Sequence, residues 1–308
     1  MKIAVLAGGK SSEREVSLKT GSGVAGALSA SGHEVSVFDI GRELPQQLLA
    51  FKPELVFIAL HGKFGEDGTV QGMLEILEIP YTGSGILSSA LAMDKHMAKK
   101  IFIYNEIPTP EWLFIEAGAD YTGMIAKVED FADKYGFPLV IKPCTDGSSC
   151  GLTIIQQANE IPDALEKAKG SDSKILIEKF INGREITVAL LGNGTPDALE
   201  PIEIVAKNDF YDYESKYVPG MSEHILPARI TASERQLVMD LAVKAHVALG
   251  CRGYSRVDFL LPEDGKAVVL EINTLPGMTS TSLIPDAAAY IGMNYNALTQ
   301  KIVDLALA

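Results

Sequence analysis

The sequence is poor in cysteine: its 308 residues include only Cys144, Cys150 and Cys251. An odd and sparse set is a poor basis for a disulfide framework and fits a reducing compartment. A catalytic cysteine would need neighbours that activate its thiol, and no local pattern around these residues supplies them. We therefore interpret all of them as small buried or loop thiols.

Long apolar runs and basic clusters are also missing. No stretch of about 18 apolar residues is present, so a membrane-spanning helix is not expected. The apolar segment 3–7 is too short for the core of a signal peptide. The net charge is −13 and no long basic run occurs, which argues against nucleic acid or an anionic membrane as a partner. We expect a cytoplasmic protein, in which local cations or a metal could still bind an anionic small molecule.

The N-terminal part alternates short apolar runs with helical patterns. Strands are expected at 3–7, 34–40, 55–60 and 79–81, with helices at 16–30 and 68–78. This order predicts a parallel sheet covered on both faces. Ligands of such sheets bind at the carboxyl ends of the strands. Loops 8–13 and 61–68 lie there, but Gly8-Gly9 does not continue into a dinucleotide-binding pattern.

The remainder of the chain predicts mixed α+β structure. One long helix is expected at 87–105, followed by strands at 112–115, 139–142, 152–155, 175–180, 184–191 and 201–206. The polar, tyrosine-rich segment 208–221 is predicted to be a mobile lid. Thr231 and Glu234 form a capping-box pattern for a helix that reaches about residue 249. A hairpin of strands 256–261 and 267–273 follows, and Asn294 is expected to cap the last helix.

The hairpin carries the first candidate site. Side chains alternate along a strand, so Arg256 shares a face with Asp258, and Glu271 shares a face with Asn273. If the strands pair antiparallel, two carboxylates, an amide oxygen and an arginine come together. Hard oxygen ligands of this kind suit Mg²⁺. The alternative is two ordinary half-exposed strand faces, because polar alternation is normal in antiparallel sheets.

Two further segments carry weaker signals. Lys142 ends an apolar strand before a glycine- and serine-rich loop, where backbone N–H groups could approach phosphate oxygens. The alternative there is a flexible turn, and the loop lacks the Walker A pattern. Glu178 to Ile181, followed by Glu185, could present backbone groups to an adenine and a carboxylate to ribose. The alternative there is a solvated edge strand.

In their order and spacing, these residues resemble the D-alanine–D-alanine ligases, a family within the ATP-grasp superfamily. The matching stretches run nearly end to end and comprise residues 8–9, 12–17, 59–62, 65–68, 80–85, 93–95, 211–217 and 271–280. One departure is that Cys144-Thr145-Asp146 replaces the serine, arginine and glutamate usual in the family, and Cys150 replaces a valine. From this departure we expect slower or looser loop closure and thiol sensitivity.

The resemblance implies a fold of α/β and α+β units, in which a parallel-sheet domain precedes a two-domain ATP-grasp. Residues 1–94 would form the N-terminal substrate-binding domain, 95–182 the central domain, and 183–308 the C-terminal domain with the metal site. The implied reaction joins two D-alanine molecules through an acyl phosphate, releasing ADP and phosphate, for peptidoglycan precursor synthesis. A homodimer is implied as well.

The resemblance also implies residue roles. Asp258, Glu271 and Asn273 would bind two Mg²⁺ ions, or Mn²⁺ in their place. The ATP-binding set comprises Lys95, Lys142, Ser149, Glu178, Lys179, Ile181 and Glu185. The catalytic set comprises Glu13, His61, Ser148, Lys216, Tyr217, Arg256 and Gly277.

Within the catalytic set, Glu13 would pair with the ammonium of the first D-alanine, beside a relay formed by Ser148 and Tyr217. His61 and Lys216 would lie near the transferring phosphoryl group. Arg256 and the Gly277 backbone N–H would stabilise an oxyanion. Outside this set, Ser282 and the Leu283 backbone N–H would bind the carboxylate of the second D-alanine.

Two alternatives stay open from the sequence. The same scaffold could use D-lactate or D-serine as the second substrate, although Tyr217 within its loop favours D-alanine. The chain could also be a catalytically silent ATP-binding or regulatory protein. The complete set of charged site residues argues against that alternative.

Overall fold

The computed structural model describes residues 1–11, 13–118, 120–145, 151–206 and 222–308. The strands are β1 (Lys2–Ala7), β2 (Glu34–Asp39), β3 (Leu55–Ile58), β4 (Trp112–Glu116), β5 (Leu139–Pro143), β6 (Thr153–Ile155), β7 (Lys174–Lys179), β8 (Arg184–Leu191), β9 (Asp197–Ala198), β10 (Ile202–Ala206), β11 (Ser222–Ile225), β12 (Tyr254–Leu261) and β13 (Val268–Asn273). The helices are α1 (Arg14–Ala30), α2 (Leu44–Phe51), α3 (Thr69–Ile76), α4 (Ile86–Met93), α5 (Lys95–Tyr104), α6 (Tyr121–Tyr135), α7 (Ile161–Lys169), α8 (Ala232–Ala248), α9 (Leu283–Tyr290) and α10 (Tyr295–Leu307).

The first sheet is parallel, as the apolar runs predict, and its strand order is β2-β1-β3. The central strand β1 is buried along almost its whole length, which is typical of a strand covered on both faces. The fourth strand expected at 79–81 does not form. Tyr81 makes only an isolated parallel bridge to Val56. Its neighbour Pro80 has no N–H to donate, so the pairing does not extend.

The single helix expected at 87–105 is wrong, because Asp94 divides it. The backbone of Asp94 is extended, with φ −83° and ψ 93°, between the end of α4 and the start of α5. Its carboxylate accepts a hydrogen bond from the Met97 backbone N–H at 3.1 Å. An aspartate that caps a helix in this way competes with continuation of the preceding one. Lys95 therefore becomes the first residue of α5.

Two antiparallel sheets complete the chain among the described residues. The order of the smaller sheet is β4-β7-β5-β6, and α6 and α7 pack on it. The order of the larger sheet is β11-β10-β8-β12-β13, with β9 beside β8 and α8 packed across it. The capping box predicted for α8 is confirmed, since Thr231 and Glu234 bond reciprocally. Asn294 caps α10 by accepting from the Ala297 N–H.

The last two helices return to the N-terminal sheet. Leu298 and Ile302 of α10 are buried in the same core as Val24 and Leu28 of α1. This packing brings the N-terminal ends of α1 and α9 to one side of the molecule. Glu13 occupies the N-cap position of α1, and Ser282 occupies that of α9. Residues from the two ends of the sequence thereby face a common cavity.

Candidate active site

The predicted hairpin forms, and its polar residues meet. Strands β12 and β13 pair antiparallel, with Arg256 opposite Asn273 and Asp258 opposite Glu271. The Arg256 guanidinium donates to both carboxylate oxygens of Asp258, from Nε at 2.9 Å and from the terminal nitrogen at 2.8 Å. The register shifts after Asp258. Such bulges recur beside active sites, where they redirect side chains.

Asp258 has two further partners. Thr187 on the neighbouring strand β8 donates to Asp258 Oδ1 at 2.6 Å, and Asn273 Nδ2 donates to Oδ2 at 3.1 Å. Thr187 is a residue that the sequence pattern did not reveal, because its apolar strand gives no signal for it. Its hydroxyl and the amide of Asn273 fix the carboxylate, as outer groups commonly do for metal ligands.

The donor chemistry of the hairpin fits a hard cation. Asp258 and Glu271 face each other in register, and both carry a positive partner, since Lys95 Nζ lies 3.3 Å from Glu271 Oε2. Among the described residues, no cluster of three or more His, Cys, Asp or Glu side chains could hold a metal ion. The set here has two carboxylates and one amide. That composition matches Mg²⁺, which takes few protein ligands and keeps substrate oxygens and water for the rest.

A cavity of about 590 Å³ joins the hairpin to the N-terminal loops and to α9. Its volume lies in the range of small-molecule sites. The sequence-predicted residues that line it are Glu13, His61, Arg256, Glu271, Asn273, Gly277, Ser282 and Leu283. Residues as far apart in the sequence as Glu13 and Leu283 are therefore brought together around one space, as the resemblance implied.

The wall of this cavity that residues 277–283 form is tightly packed around Ser282. Thr279 N donates to Ser282 Oγ at 3.0 Å, and the two hydroxyl oxygens lie 2.7 Å apart. A Cβ added at Gly277 would lie 3.0 Å from Ser282 Oγ, so a larger residue there would crowd the serine. The N-terminal end of α9 begins immediately afterwards, at Leu283. The first N–H groups of a helix attract a carboxylate or a phosphate.

His61 is a buried part of the cavity wall. Its Nδ1 lies 3.1 Å from the Leu275 carbonyl, and its Nε2 lies 3.2 Å from Thr20 Oγ1. Burial lowers the pKa of the imidazole, while Glu13 and the Leu275 carbonyl oppose that effect and Arg256 adds to it. His61 is therefore neutral near pH 7, and its orientation is held from both ring nitrogens.

Glu66 is a functional candidate that the sequence reasoning left without a role. Its carboxylate accepts from the Gly62 N–H at 2.6 Å and lines the main cavity with Glu13 and Glu271. Burial raises its pKa to about 8, with a further contribution from Glu13, against the opposing effects of Gly62 and Arg256. A protonated carboxyl at neutral pH can donate a hydrogen bond toward the cavity. Its place in a loop at a strand end was the available signal.

The lysines expected at the nucleotide site occupy two separate positions. Lys95 lies beside the hairpin and, with Glu66, Glu271 and Asn273, surrounds a small space of about 30 Å³. Lys142 instead pairs with Glu178, at 2.5 Å from Nζ to Oε2. Positive charge is therefore available beside the hairpin of the larger sheet and near the end of β5 in the smaller one.

Glu178 lies in a central strand, so the edge-strand alternative is wrong. Strand β7 is hydrogen-bonded to β4 on one side and β5 on the other. Burial would raise the pKa of the Glu178 carboxyl, but Lys142 and Lys99 outweigh it and hold the pKa at about 2. The Glu178 carboxylate is committed to two lysines, and its strand is paired on both sides, so Glu178 borders the linker that follows β7. Lys179 ends β7, Ile181 follows in the linker, and Glu185 lies near the start of β8.

Four predicted site residues lie outside the described residues: Ser148, Ser149, Lys216 and Tyr217. Cys150 and the whole of the expected lid at 208–221 also lie outside them. The thiol sensitivity expected at Cys144 is wrong for the folded protein, because this residue is fully buried. Burial raises the pKa of its thiol to about 11, and Sγ lies 3.4 Å from Asp94 Oδ1. Cys251 is also a buried thiol, as expected.

No helix in the described part of the chain combines the length and apolar character needed to cross a membrane.

Comparison with known proteins gives matches along the chain. A family model described as the D-ala D-ala ligase N-terminus matches residues 42–84, and one described as the D-ala D-ala ligase C-terminus matches residues 101–304. A D-alanine–D-alanine ligase of Moorella thermoacetica is 48% identical over 308 residues, covering 100% of this chain and 99% of the relative. The corresponding protein of Halalkalibacterium halodurans is 48% identical, with coverage of 100% and 99%.

Solved structures agree with the sequence matches. A D-alanine–D-alanine ligase from Bacillus anthracis, complexed with ATP, has a TM-score of 0.84 at 35% identity, covering 100% of this chain and 97% of the other. The VanG D-Ala:D-Ser ligase from Enterococcus faecalis has a TM-score of 0.85 at 32% identity, with 99% of both chains covered. The ATP-grasp fold expected from the sequence is confirmed by these neighbours.

Proposed function

This chain belongs to the D-alanine–D-alanine ligase family, and we propose that it joins two D-alanine molecules through an acyl phosphate. A carboxylate oxygen of the first D-alanine attacks the γ-phosphorus of ATP, and the bond to ADP breaks. The deprotonated amine of the second D-alanine then attacks the acyl carbon, and phosphate leaves with the transferred oxygen. The product, D-alanyl-D-alanine, would serve as a peptidoglycan precursor.

The cavity that contains Glu13, Arg256, Gly277 and Ser282 is the observation that carries this proposal. A zwitterionic amino acid needs an anion for its ammonium, which Glu13 supplies. An attacked carbonyl needs donors where its oxygen gains charge, and Arg256 with the Gly277 N–H supplies them. A second amino acid needs an anion site for its own carboxylate. Ser282 and the Leu283 N–H, at the N-terminal end of α9, supply it.

The nucleotide would lie between the two antiparallel sheets. Lys95 and Lys142, with Ser149, would hold its phosphates. The linker with Lys179 and Ile181, together with Glu178 and Glu185, would hold the adenosine. The support is the placement of Lys95 beside the metal hairpin and of Lys142 at the end of β5.

Mg²⁺ would be held by Asp258, Glu271 and Asn273. When bound, two such ions offset the negative charge that gathers on the transferred phosphoryl group. The residues of the chain do the remaining work. His61 borders the transfer site as a neutral, fixed imidazole, and Lys216 would approach from the lid. Ser148 and Tyr217 would complete the relay beside Glu13.

The test of the proposed function is product identification. The protein is supplied with ATP, Mg²⁺ and D-alanine, alone or with D-serine or D-lactate, at several pH values. We expect D-alanyl-D-alanine as the main product, together with one ADP for each dipeptide. Exclusive transfer to D-serine, the second substrate named for the VanG neighbour, would overturn the choice of second substrate. Absence of any ligated product would overturn the proposed reaction.

We also propose the domain division 1–94, 95–182 and 183–308. Three hydrophobic cores support it in outline, since each sheet contributes to a core of its own. The first core also includes Leu191 of β8 and Ile204 of β10, and the second includes Phe102 of α5. The boundary near residue 94 coincides with Asp94, where α4 ends and α5 begins. Helices α9 and α10 belong to the last unit by sequence but pack on the first core, so they tie the two units together.

We also place the protein in the cytoplasm and propose that it forms a homodimer. The dimer is supported by a group of exposed apolar side chains where α3 ends and α4 begins. Ile76 is 85% exposed, Leu87 is 70% exposed, and Ile86 lies beside Leu87. Exposed apolar residues in such a group mark an association surface. Light scattering should give twice the chain mass of 33.1 kDa. Leu87→Glu should return the mass to that of one chain, and a monomeric unmodified protein would contradict the dimer.

A further inference from the structure

The buried ammonium of Lys99 is the feature that the proposed reaction leaves unused. Lys99 lies on α5 and is completely inaccessible to solvent. Its Nζ lies 2.7 Å from Glu178 Oε1 and donates to Thr109 Oγ1 at 2.7 Å and to the Pro110 carbonyl at 3.0 Å. The ammonium therefore has two hydrogen-bond acceptors and one ion-pair partner. A lysine is rarely buried to this degree unless it is paired.

Glu178 connects this lysine to the nucleotide site. Its second carboxylate oxygen, Oε2, lies 2.5 Å from Lys142 Nζ, so one carboxylate bridges two ammonium groups. Lys142 keeps 12% of its side chain exposed, whereas Lys99 and Glu178 are almost entirely buried. Of the three groups, Lys142 is therefore the one that can reach a ligand.

The charges of this cluster decide what a ligand meets. Burial lowers the pKa of Lys99, and Glu178 opposes that effect. With both lysines protonated, these three groups carry a net charge of +1, and Lys142 is the exposed member. Without Lys99, Glu178 would neutralise Lys142 alone, and the net charge would be zero. Charges interact more strongly at short range and low dielectric than at the exposed surface. Losing one charge here should therefore weaken phosphate binding more than losing a surface charge would.

We propose that Lys99 is a positioning residue of the nucleotide site, which engages Glu178 so that Lys142 presents a net positive charge to a phosphate. Lys99 acts through Glu178 and does not touch the nucleotide itself. The inference rests on the proposed function, because it takes Lys142 as a phosphate-binding lysine. It adds a residue to the nucleotide site that neither the sequence pattern nor the family resemblance singled out.

The test compares ATP binding, by calorimetry in Mg²⁺, for the unmodified protein, Lys99→Met and the double variant Lys99→Met/Glu178→Gln. Lys99→Met should weaken ATP binding about tenfold, which corresponds to the loss of one short-range charge after screening. The double variant removes the neutralising carboxylate as well, so the net charge returns to +1 at Lys142. It should recover binding to within about threefold of the unmodified protein.

A merely structural role for Lys99 predicts a different pattern. Two buried substitutions would then add their damage, and the double variant would bind ATP no better than Lys99→Met. That result, or unchanged binding by Lys99→Met, would overturn the inference. Lys100→Met is the matched control, because Lys100 is the exposed neighbour of Lys99 on the same helix. The Lys100→Met protein should bind ATP normally. The KM for ATP should rise in Lys99→Met while the KM for D-alanine stays constant.

Lys99→Gln keeps the inference testable if Lys99→Met does not fold, because the glutamine amide can still donate to Glu178 but carries no charge. It should weaken ATP binding about tenfold, as expected for Lys99→Met. ATP binding equal to that of the unmodified protein would overturn the inference. Failure of the unmodified protein to bind ATP would instead contradict the proposed function, which separates the two outcomes.

Discussion

Arg256 has two tasks at the centre of the site. It donates to both carboxylate oxygens of Asp258, and it lines the cavity beside Glu13 and Gly277. A two-pronged pairing of this kind fixes the plane of the guanidinium. A cation already held in place stabilises a developing oxyanion without reorganising during the reaction. The same pairing fixes the carboxylate of Asp258, the residue that lies opposite Glu271 in the hairpin.

Arg256→Met should lower kcat by about 100-fold to 1,000-fold, the loss typical of removing one oxyanion donor. Steady-state rates of dipeptide formation measure it. Arg235→Met is the control. Arg235 lies on α8, outside the cavity, and pairs with Glu200, so this substitution should leave kcat unchanged. A kcat within threefold of the unmodified protein for Arg256→Met would remove Arg256 from the catalytic set.

His246 lies away from the cavity, and its burial keeps the side chain uncharged, in contrast to the charged Arg256. Its side chain is fully buried, with Nδ1 lying 2.7 Å from Ser255 Oγ, and Nε2 has no hydrogen-bond partner among the described residues. Burial lowers its pKa to about 4, against a small opposing effect of the Cys251 backbone. The folded state therefore holds the imidazole neutral, whereas the unfolded chain protonates it near pH 6.5.

This difference predicts a pH dependence of stability. The pKa of His246 is lower in the folded than in the unfolded state. The stability contributed by the neutral imidazole is therefore complete above about pH 6.5 and is lost as the pH falls toward about 4. The span corresponds to roughly 3 kcal/mol at most. His246→Asn, which cannot be protonated, should show a flatter dependence between these pH values in urea-unfolding experiments. Parallel pH profiles for the two proteins would refute this role for His246.

At the scale of elements, the junction between α4 and α5 matters most for the site. Asp94 caps α5 through the Met97 N–H and pairs with Lys174 at 2.7 Å. The Lys95 backbone N–H donates to the Cys144 carbonyl at 3.2 Å, which ties α5 to the end of β5. The first residue of α5 is thus held at both its helix and its neighbouring strand. The long apolar pattern of 87–105 hid this break, because a capping aspartate is also compatible with a helix interior.

Asp94→Ala should lower the free energy of unfolding by about 1–2 kcal/mol, because the cap of α5 is lost. It should also weaken ATP binding, since Lys95 starts the frayed turn. Asp94→Asn is the matched variant: it retains a capping side chain and removes only the charge paired with Lys174. We expect it to lose less than half as much stability, as measured by chemical unfolding. Equal losses for the two variants would show that the ion pair, rather than the cap, sets the position of α5.

Elements were more predictable than their boundaries. Periodicity and capping chemistry are local properties of the sequence. They predicted the parallel pairing of β1 to β3, the capping box of α8 and the hairpin. The 79–81 strand failed because pairing depends on a partner strand, which sequence periodicity does not show. The Glu178 strand was equally open from its pattern, since a central position is decided by its neighbours β4 and β5.

At the scale of the whole molecule, the site depends on distant parts of the chain. The packing of α10 on α1 places the N-terminal ends of α1 and α9 around one cavity. The face-sharing of Arg256 with Asp258 was readable from spacing, and the family resemblance brought in Glu13 and Ser282. Glu66, Thr187 and Lys99 escaped because their importance arises from burial and from partners far away in sequence. Burial of a charge is a tertiary property.

The measurement that tests the central claim most directly follows oxygen through the reaction. D-alanine with ¹⁸O in its carboxylate is incubated with ATP, Mg²⁺ and the protein, and the phosphate and dipeptide are weighed by mass spectrometry. The acyl-phosphate path predicts D-alanyl-D-alanine and one ¹⁸O atom in each phosphate released. Dipeptide accompanied by unlabelled phosphate would contradict the path, and labelled phosphate without dipeptide would contradict the ligation.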